Sequence, residues 1–129
     1  ENVLFIPRVP MNEVGSLLLS ADVLVVHLKS DPLFEITVPS KIQAYLFVGK
    51  PILSNVPGDA EKIIENASAG FTSSSGSVSS LVDSINKFHT MSKNELEAMG
   101  KRGKNYYQKN LSLNNGTLRT DSIFRKLIK

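Results

Sequence analysis

Two short apolar runs, Val23-Leu24-Val25-Val26 and Pro51-Ile52-Leu53-Ser54, flank a helix-like interval, and nothing else in the sequence restricts the fold as strongly. Each run is too short for a helix and does not alternate apolar with polar, which is the pattern of a strand covered on both faces. The interval between them is punctuated at both ends. Pro39 forbids continuation of any preceding helix, Ser40 can cap a new one, and Gly49 suits the position just past a helix end. Ile42, Tyr45 and Leu46 are spaced to share one helical face. A strand, a helix and a second buried strand together predict a parallel sheet with helices packed on its faces.

The alternation continues in both directions. Upstream, Val3 to Ile6 is another continuous apolar run, stopped by Pro7 and Pro10, and reads as a further buried strand. Asn12 can cap the helix that follows, Glu13 suits its positive end, and Val14, Leu17, Leu18 and Ala21 recur at helical spacing. Lys29 to Val38 reads as a polar loop. Downstream, Asn55 to Gly58 makes a turn, Asp59 caps a helix through Ile63 and Ile64 to about Asn66, and Ala69 to Thr72 is a brief strand. Beyond the serine and glycine loop Ser73 to Ser77 the pattern is helical throughout. Val78, Leu81, Val82, Ile85 and Phe88 mark one helix, with Ser77 as its cap. Ser92-Lys93-Asn94-Glu95 is a capping box opening a second helix through Leu96, Met99, Tyr106 and Tyr107. Asn110 to Asn114 breaks the run, and a last amphipathic helix carries Leu118, Ile123, Phe124, Leu127 and Ile128. The expected fold is therefore α/β, a parallel sheet of about four strands flanked by helices, with an all-helical C-terminal segment.

Composition excludes several functions. At 129 residues, 41% hydrophobic and 21% charged, the chain suits one ordinary globular domain. Its net charge of +3 comes from lysines scattered over the second half, with Lys101, Arg102 and Lys104 the densest group, and lacks the aromatics that a nucleic-acid surface interleaves with its cations. No nucleic-acid partner is expected. The absence of cysteine removes disulfides, thiolate metal sites and cysteine nucleophiles. His27 and His89 have no partners at metal-ligand spacing, so no metal is expected. Ser20, Ser54 and Ser92 lack the flanking glycines of a nucleophile elbow, and neither GxGxxG nor a Walker motif is present. Asn66, Asn110 and Asn115 begin glycosylation-acceptor triplets without a secretory context. No apolar run is long enough to span a bilayer, and the expected location is the cytoplasm. The chain opens straight into an apolar run without methionine, which reads as a piece of a longer protein.

In an open parallel sheet the ligand lies beyond the carboxyl ends of the strands, here the loops after Ile6, Val26 and Ser54. The stretch from Glu35 to Leu53 begins in one of them. Ser40 and Lys41 at a helix start can hold a phosphate through backbone amides, a hydroxyl and an ammonium, or Ser40 merely caps while Lys41 points to water. Gln43 is open in the same way, because Ser40-Lys41-Ile42-Gln43 is also a capping-box pattern. Asp31 and Glu35 are loop carboxylates able to accept hydrogen bonds from sugar hydroxyls or to work as acid or base.

A family resemblance rests on a series of motifs in order: Asn2-Val3-Leu4-Phe5, Val9-Pro10-Met11-Asn12-Glu13-Val14, Leu18-Leu19-Ser20-Ala21-Asp22-Val23, Val38 to Leu46, Gly49-Lys50-Pro51-Ile52-Leu53 and Ala69-Gly70-Phe71. Over essentially its whole length the chain resembles the C-terminal, donor-binding domain of retaining GT-B glycosyltransferases. The likeness is greatest to bacterial fucosaminyltransferase-like enzymes of O-antigen and capsule assembly. The resemblance implies that residues 1–129 form a Rossmann-like nucleotide-sugar-binding domain whose N-terminal, acceptor-holding partner domain belongs to the same protein. It implies a nucleotide-sugar donor, a UDP-sugar first of all, a saccharide or lipid-linked saccharide acceptor, and association with the inner face of the membrane. It calls for no cofactor. Arg8 and Val9 would lie beside the nucleobase, Glu35 near the sugar hydroxyls, and Ser40 and Lys41 near the diphosphate, with Gln43 a candidate for the ribose contact; Ile36, Thr37 and Pro39 would also be donor-binding. Glu35 and Lys41 would be the catalytic residues. The chain departs from the family's two-glutamate motif: counting from Glu35 reaches Gln43, whereas aligning on Tyr45 and Leu46 reaches Ala44. Two other readings share this architecture, a non-catalytic Rossmann-like binding module and a GT-B sugar-nucleotide epimerase.

Overall fold

The computed structural model describes residues 2–29 and 31–128. Three parallel strands form the sheet, in the order β1 (Leu24–His27), β2 (Ile52–Asn55), β3 (Gly70–Thr72). Helix α1 (Met11–Ser20) precedes β1. The short α2 (Pro32–Glu35) and α3 (Ser40–Val48) connect β1 to β2, and α4 (Asp59–Ala67) connects β2 to β3. Helices α5 (Val78–Thr90), α6 (Lys93–Asn110) and α7 (Leu113–Leu127) complete the chain. The expected α/β, Rossmann-like class with a helical C-terminal segment is the fold observed.

The central strand explains the core. β2 pairs on both edges and all its residues are buried, the apolar Ile52 and Leu53 as expected and the polar Ser54 and Asn55 with them. On one face Ile42 and Leu46 of α3 and Ala60 and Ile64 of α4 close over Val26 and Ile52. On the other, Leu53 meets Phe88 of α5 and Met99 of α6. Phe71 stacks against Phe88 at 4.7 Å between ring centroids. Helix α6 passes the amino ends of the strands, where its glycines admit close approach. A Cβ at Gly100 would lie 2.0 Å from the carbonyl oxygen of Gly49, and one at Gly103 would lie 2.9 Å from the Cβ of Ala69.

Two expected strands come out differently. Val3 to Ile6 carries no secondary structure, and its side chains are 52–91% exposed. A strand exists only by pairing, and β1 gives its one paired edge among the described residues to β2. β1 itself is buried on a single face, with Leu24 and Val26 inside and Val25 54% exposed. No described helix covers its outer face as α5 covers that of β2.

The helix starts show a consistent correction. Asn12, Ser40 and Asp59 were expected as caps, but the N-cap positions belong to Pro10, Pro39 and Gly58, none of which offers a side-chain bond. A cap lies where the backbone passes from extended to helical, and the fixed φ of proline or the positive φ of Gly58 sets that point earlier than the polar residue. The capping box at Ser40 and Gln43 is accordingly absent. Elsewhere the caps are as expected. Ser77 accepts from the amide of Ser80, Ser92 and Glu95 form the reciprocal capping box, and Gly49 ends α3 in the left-handed conformation at φ 82°. The supposed loop from Lys29 to Val38 contains α2, because Asp31 followed by Pro32 is a cap and first-turn pair: the Asp31 carboxylate accepts from the Leu33 amide at 2.9 Å.

Candidate functional site

All three strands point the same way, so their carboxyl ends form one edge. His27 stands level with Asn55, and Ser54 level with Thr72. From this edge leave the segments that carry α2 and α3, the turn into α4, and the serine loop into α5. These are the places where a parallel sheet presents backbone and side chains to a ligand.

Each expected site residue has a definite position. Glu35 ends α2 and is exposed, and Ile36 is its C-cap, 76% exposed. Thr37 is exposed, and its hydroxyl donates to the Leu33 carbonyl at 2.7 Å, which closes the α2 turn. Pro39 is the half-buried N-cap of α3, and Ser40, Lys41 and Gln43 are exposed on its first turn. Pro39 offers no side-chain cap, so the amides of Ser40 and Lys41 at this helix start have no capping side chain, and Lys41 adds an ammonium to the same turn. Helix α3 is anchored inward by Ile42 on that turn and Leu46 on the next, both fully buried. Tyr45 is half-buried, its hydroxyl lies 3.5 Å from the Val25 carbonyl, and burial raises its phenol pKa above the ordinary value. Ala44 is exposed beside it.

The turn between β2 and α4 is brought to the same place. A Cβ built on Gly58 would lie 2.0 Å from the Glu35 carbonyl oxygen, so the backbone of that turn rests directly on the end of α2. Glu35, the α3 start and the α4 start thus share one corner of the carboxyl edge. Arg8, exposed, and Val9, half-buried, precede α1, and no hydrogen bond or ion pair among the described residues joins them to Glu35 or Lys41.

Behind this corner is a polar cluster that the motifs did not single out. Asn55 is 2% exposed at the end of β2. Its Nδ2 donates to the Ser73 hydroxyl at 3.0 Å and the Ser74 carbonyl at 2.9 Å, tying β2 to the serine loop. The Ser54 hydroxyl accepts from the Val56 amide at 3.2 Å, which starts the turn toward Gly58. Asn55 Oδ1 is buried without a partner among the described residues. The available signal was two polar residues closing a buried apolar run, opposite a serine-rich loop. His27 is exposed on β1 and His89 exposed on α5, and among the described residues no three His, Cys, Asp or Glu side chains form a group able to hold a metal ion.

Residues 1–106 match the family described as Glycosyl transferases group 1. That span includes the whole sheet and every helix through most of α6. The chain belongs to the group 1 glycosyl transferases. No curated protein and no solved structure shows a significant match to it. As a glycosyl transferase of this group the protein belongs to enzymes that move a sugar from a donor to an acceptor. No helix among the described residues is long and apolar enough to cross a membrane.

Proposed function

We propose that this glycosyl transferase uses a nucleotide-diphosphate sugar, and that residues 1–129 supply the donor-binding half of a GT-B enzyme that transfers with retention. The supporting observation is the start of α3. Its uncapped amides and Lys41 stand at the carboxyl edge of a parallel sheet, in the corner that Gly58 shares with Glu35. The leaving diphosphate gains negative charge as the glycosidic bond breaks. A helix N-terminus and an ammonium held there stabilise that charge more than they stabilise the intact donor. Ser40 and Lys41 then face the diphosphate, Glu35 with Ile36 and Thr37 the sugar hydroxyls, Gln43 the ribose, and Arg8 and Val9 the base. A UDP-sugar is the donor proposed first. The acceptor is a saccharide or lipid-linked saccharide of surface polysaccharide assembly, met on the cytoplasmic side and held by a second domain.

Calorimetry and amide NMR with UDP, GDP and their sugars test this reading. Binding should perturb residues 35–43, and Lys41→Ala should weaken it about tenfold, equivalent to about 1.4 kcal/mol. Absence of binding, or binding that Lys41→Ala leaves unchanged, sinks it. Transfer to an acceptor by the longer protein separates this function from epimerisation of the donor and from binding alone.

A further inference from the structure

A cationic concavity lies at the opposite, amino edge of the sheet. It is a cleft of about 290 Å³ between the C-terminal end of α3 and the first turns of α6. Lys50, Lys93, Lys101 and Lys104 line it, facing two carboxylates, Asp22 and Glu97. The ion pairs among the described residues are Lys62 with Asp59 and Arg125 with Asp121, so none of these four lysines is paired. Leu19, Val48, Pro51 and Leu96 make its apolar lining.

The fold holds the charges together. Lys93, Lys101 and Lys104 recur at helical spacing on one side of α6, and Gly100 on the same helix seats against the Gly49 backbone. The Lys104 stem rests over Gly49, with its Cδ 3.3 Å from where a Cβ would be. Lys50 follows Gly49 directly. Lys93, Lys101 and Lys104 are exposed on α6, and the α3 and α6 contact brings the half-buried Lys50 to the same cleft. Four ammonium groups against the two carboxylates leave the cleft with an excess of positive charge, and a compact anion among the lysines offsets that excess while accepting hydrogen bonds from several donors at once. No aromatic side chain lines the cleft, so nothing there stacks on a base.

We propose that this cleft binds a phosphate group bearing more than one negative charge, at a site separate from the donor corner. Lysine, a compact ammonium with three donors, suits phosphate as a point charge, and several of them together favour a group with more than one negative charge. The group belongs either to a free phosphorylated molecule or to a phospholipid headgroup. The apolar lining accommodates a short organic portion next to it in both cases.

Amide NMR of the chain with inorganic pyrophosphate, and separately with vesicles containing phosphatidic acid, whose phosphate is a monoester able to carry two charges, tests the proposal and identifies the source. Pyrophosphate should shift the amides of Gly49, Lys50 and residues 100–104, with affinity falling as salt rises. The exposed double variant Lys101→Gln/Lys104→Gln should weaken binding about tenfold, which is about 1.4 kcal/mol, whereas Lys41→Ala should leave these shifts unchanged. Stronger perturbation by vesicles than by pyrophosphate assigns the site to a lipid headgroup, and the reverse to a free phosphate. If neither probe moves these amides, or if the double variant binds as the parent does, the site does not exist. Because Lys41→Ala reports on the donor corner alone, failure here and failure of the donor reading are separate results.

Discussion

Gly58 has φ 76°, and a side chain there would enter the Glu35 carbonyl, so two penalties act on one residue. Gly58→Ala should lower stability by roughly 2 kcal/mol or more, read as a reduced urea midpoint at unchanged slope. An unchanged midpoint would mean that the turn does not rest on α2. Glu95 shows a different kind of local control. Hydrogen bonds from the Ser92 hydroxyl and amide lower its pKa below the ordinary carboxylate value. A carboxyl with a depressed folded pKa stabilises fully above its unfolded value, and the contribution is lost as pH falls through the folded one. Stability conferred by the α6 start should accordingly decline on acidification through that interval. A side-chain NMR titration of Glu95 with an unshifted midpoint would contradict this. Tyr45 carries the opposite sign: burial raises its pKa, so its contribution is present below the unfolded value and lost as pH rises through the folded one.

Among elements, the contact of α6 with α3 has the narrowest tolerance. Gly100→Ala should separate the two helices and destabilise the chain by roughly 1–3 kcal/mol, even though alanine favours a helix. Gly15→Ala in α1, where nothing lies within 4 Å of the new Cβ, should be neutral or stabilising, by up to about 1 kcal/mol. Equal effects of the two in thermal or urea unfolding would remove the packing explanation. Ile64→Ala should cost about 2–5 kcal/mol, because Ile64 is fully buried between α4 and the sheet. The elements that were legible beforehand carry their signals locally. The Ser92 capping box, the Ser77 cap and Gly49 act through bonds or φ values within a few residues of themselves. The misread starts at Asn12, Ser40 and Asp59 arose because good capping residues sit just inside turns that a preceding proline or glycine already defines.

Across the whole molecule, protection should follow pairing and burial. Hydrogen exchange should be slowest in β2, which is bonded on both edges, and fast over residues 2–10 and in α7, which has no buried residue. Exchange in α7 as slow as in β2 would show that its apolar face is covered in solution. The α/β class could be read from the chain because continuous apolar runs, helical spacing and turn residues are properties of neighbours along the backbone. The proposed anion site at Ser40 and Lys41 is argued from features equally local, a proline, a helix start and an ammonium. Pairing is different in kind: Val3 to Ile6 has a strand's composition but no strand beside it, and Val25 has a buried residue's composition on an uncovered face. Only tertiary structure placed Gly58 on Glu35, Asn55 against the serine loop, and Lys104 over Gly49, because each joins residues far apart in the chain whose approach depends on how helices seat on the sheet.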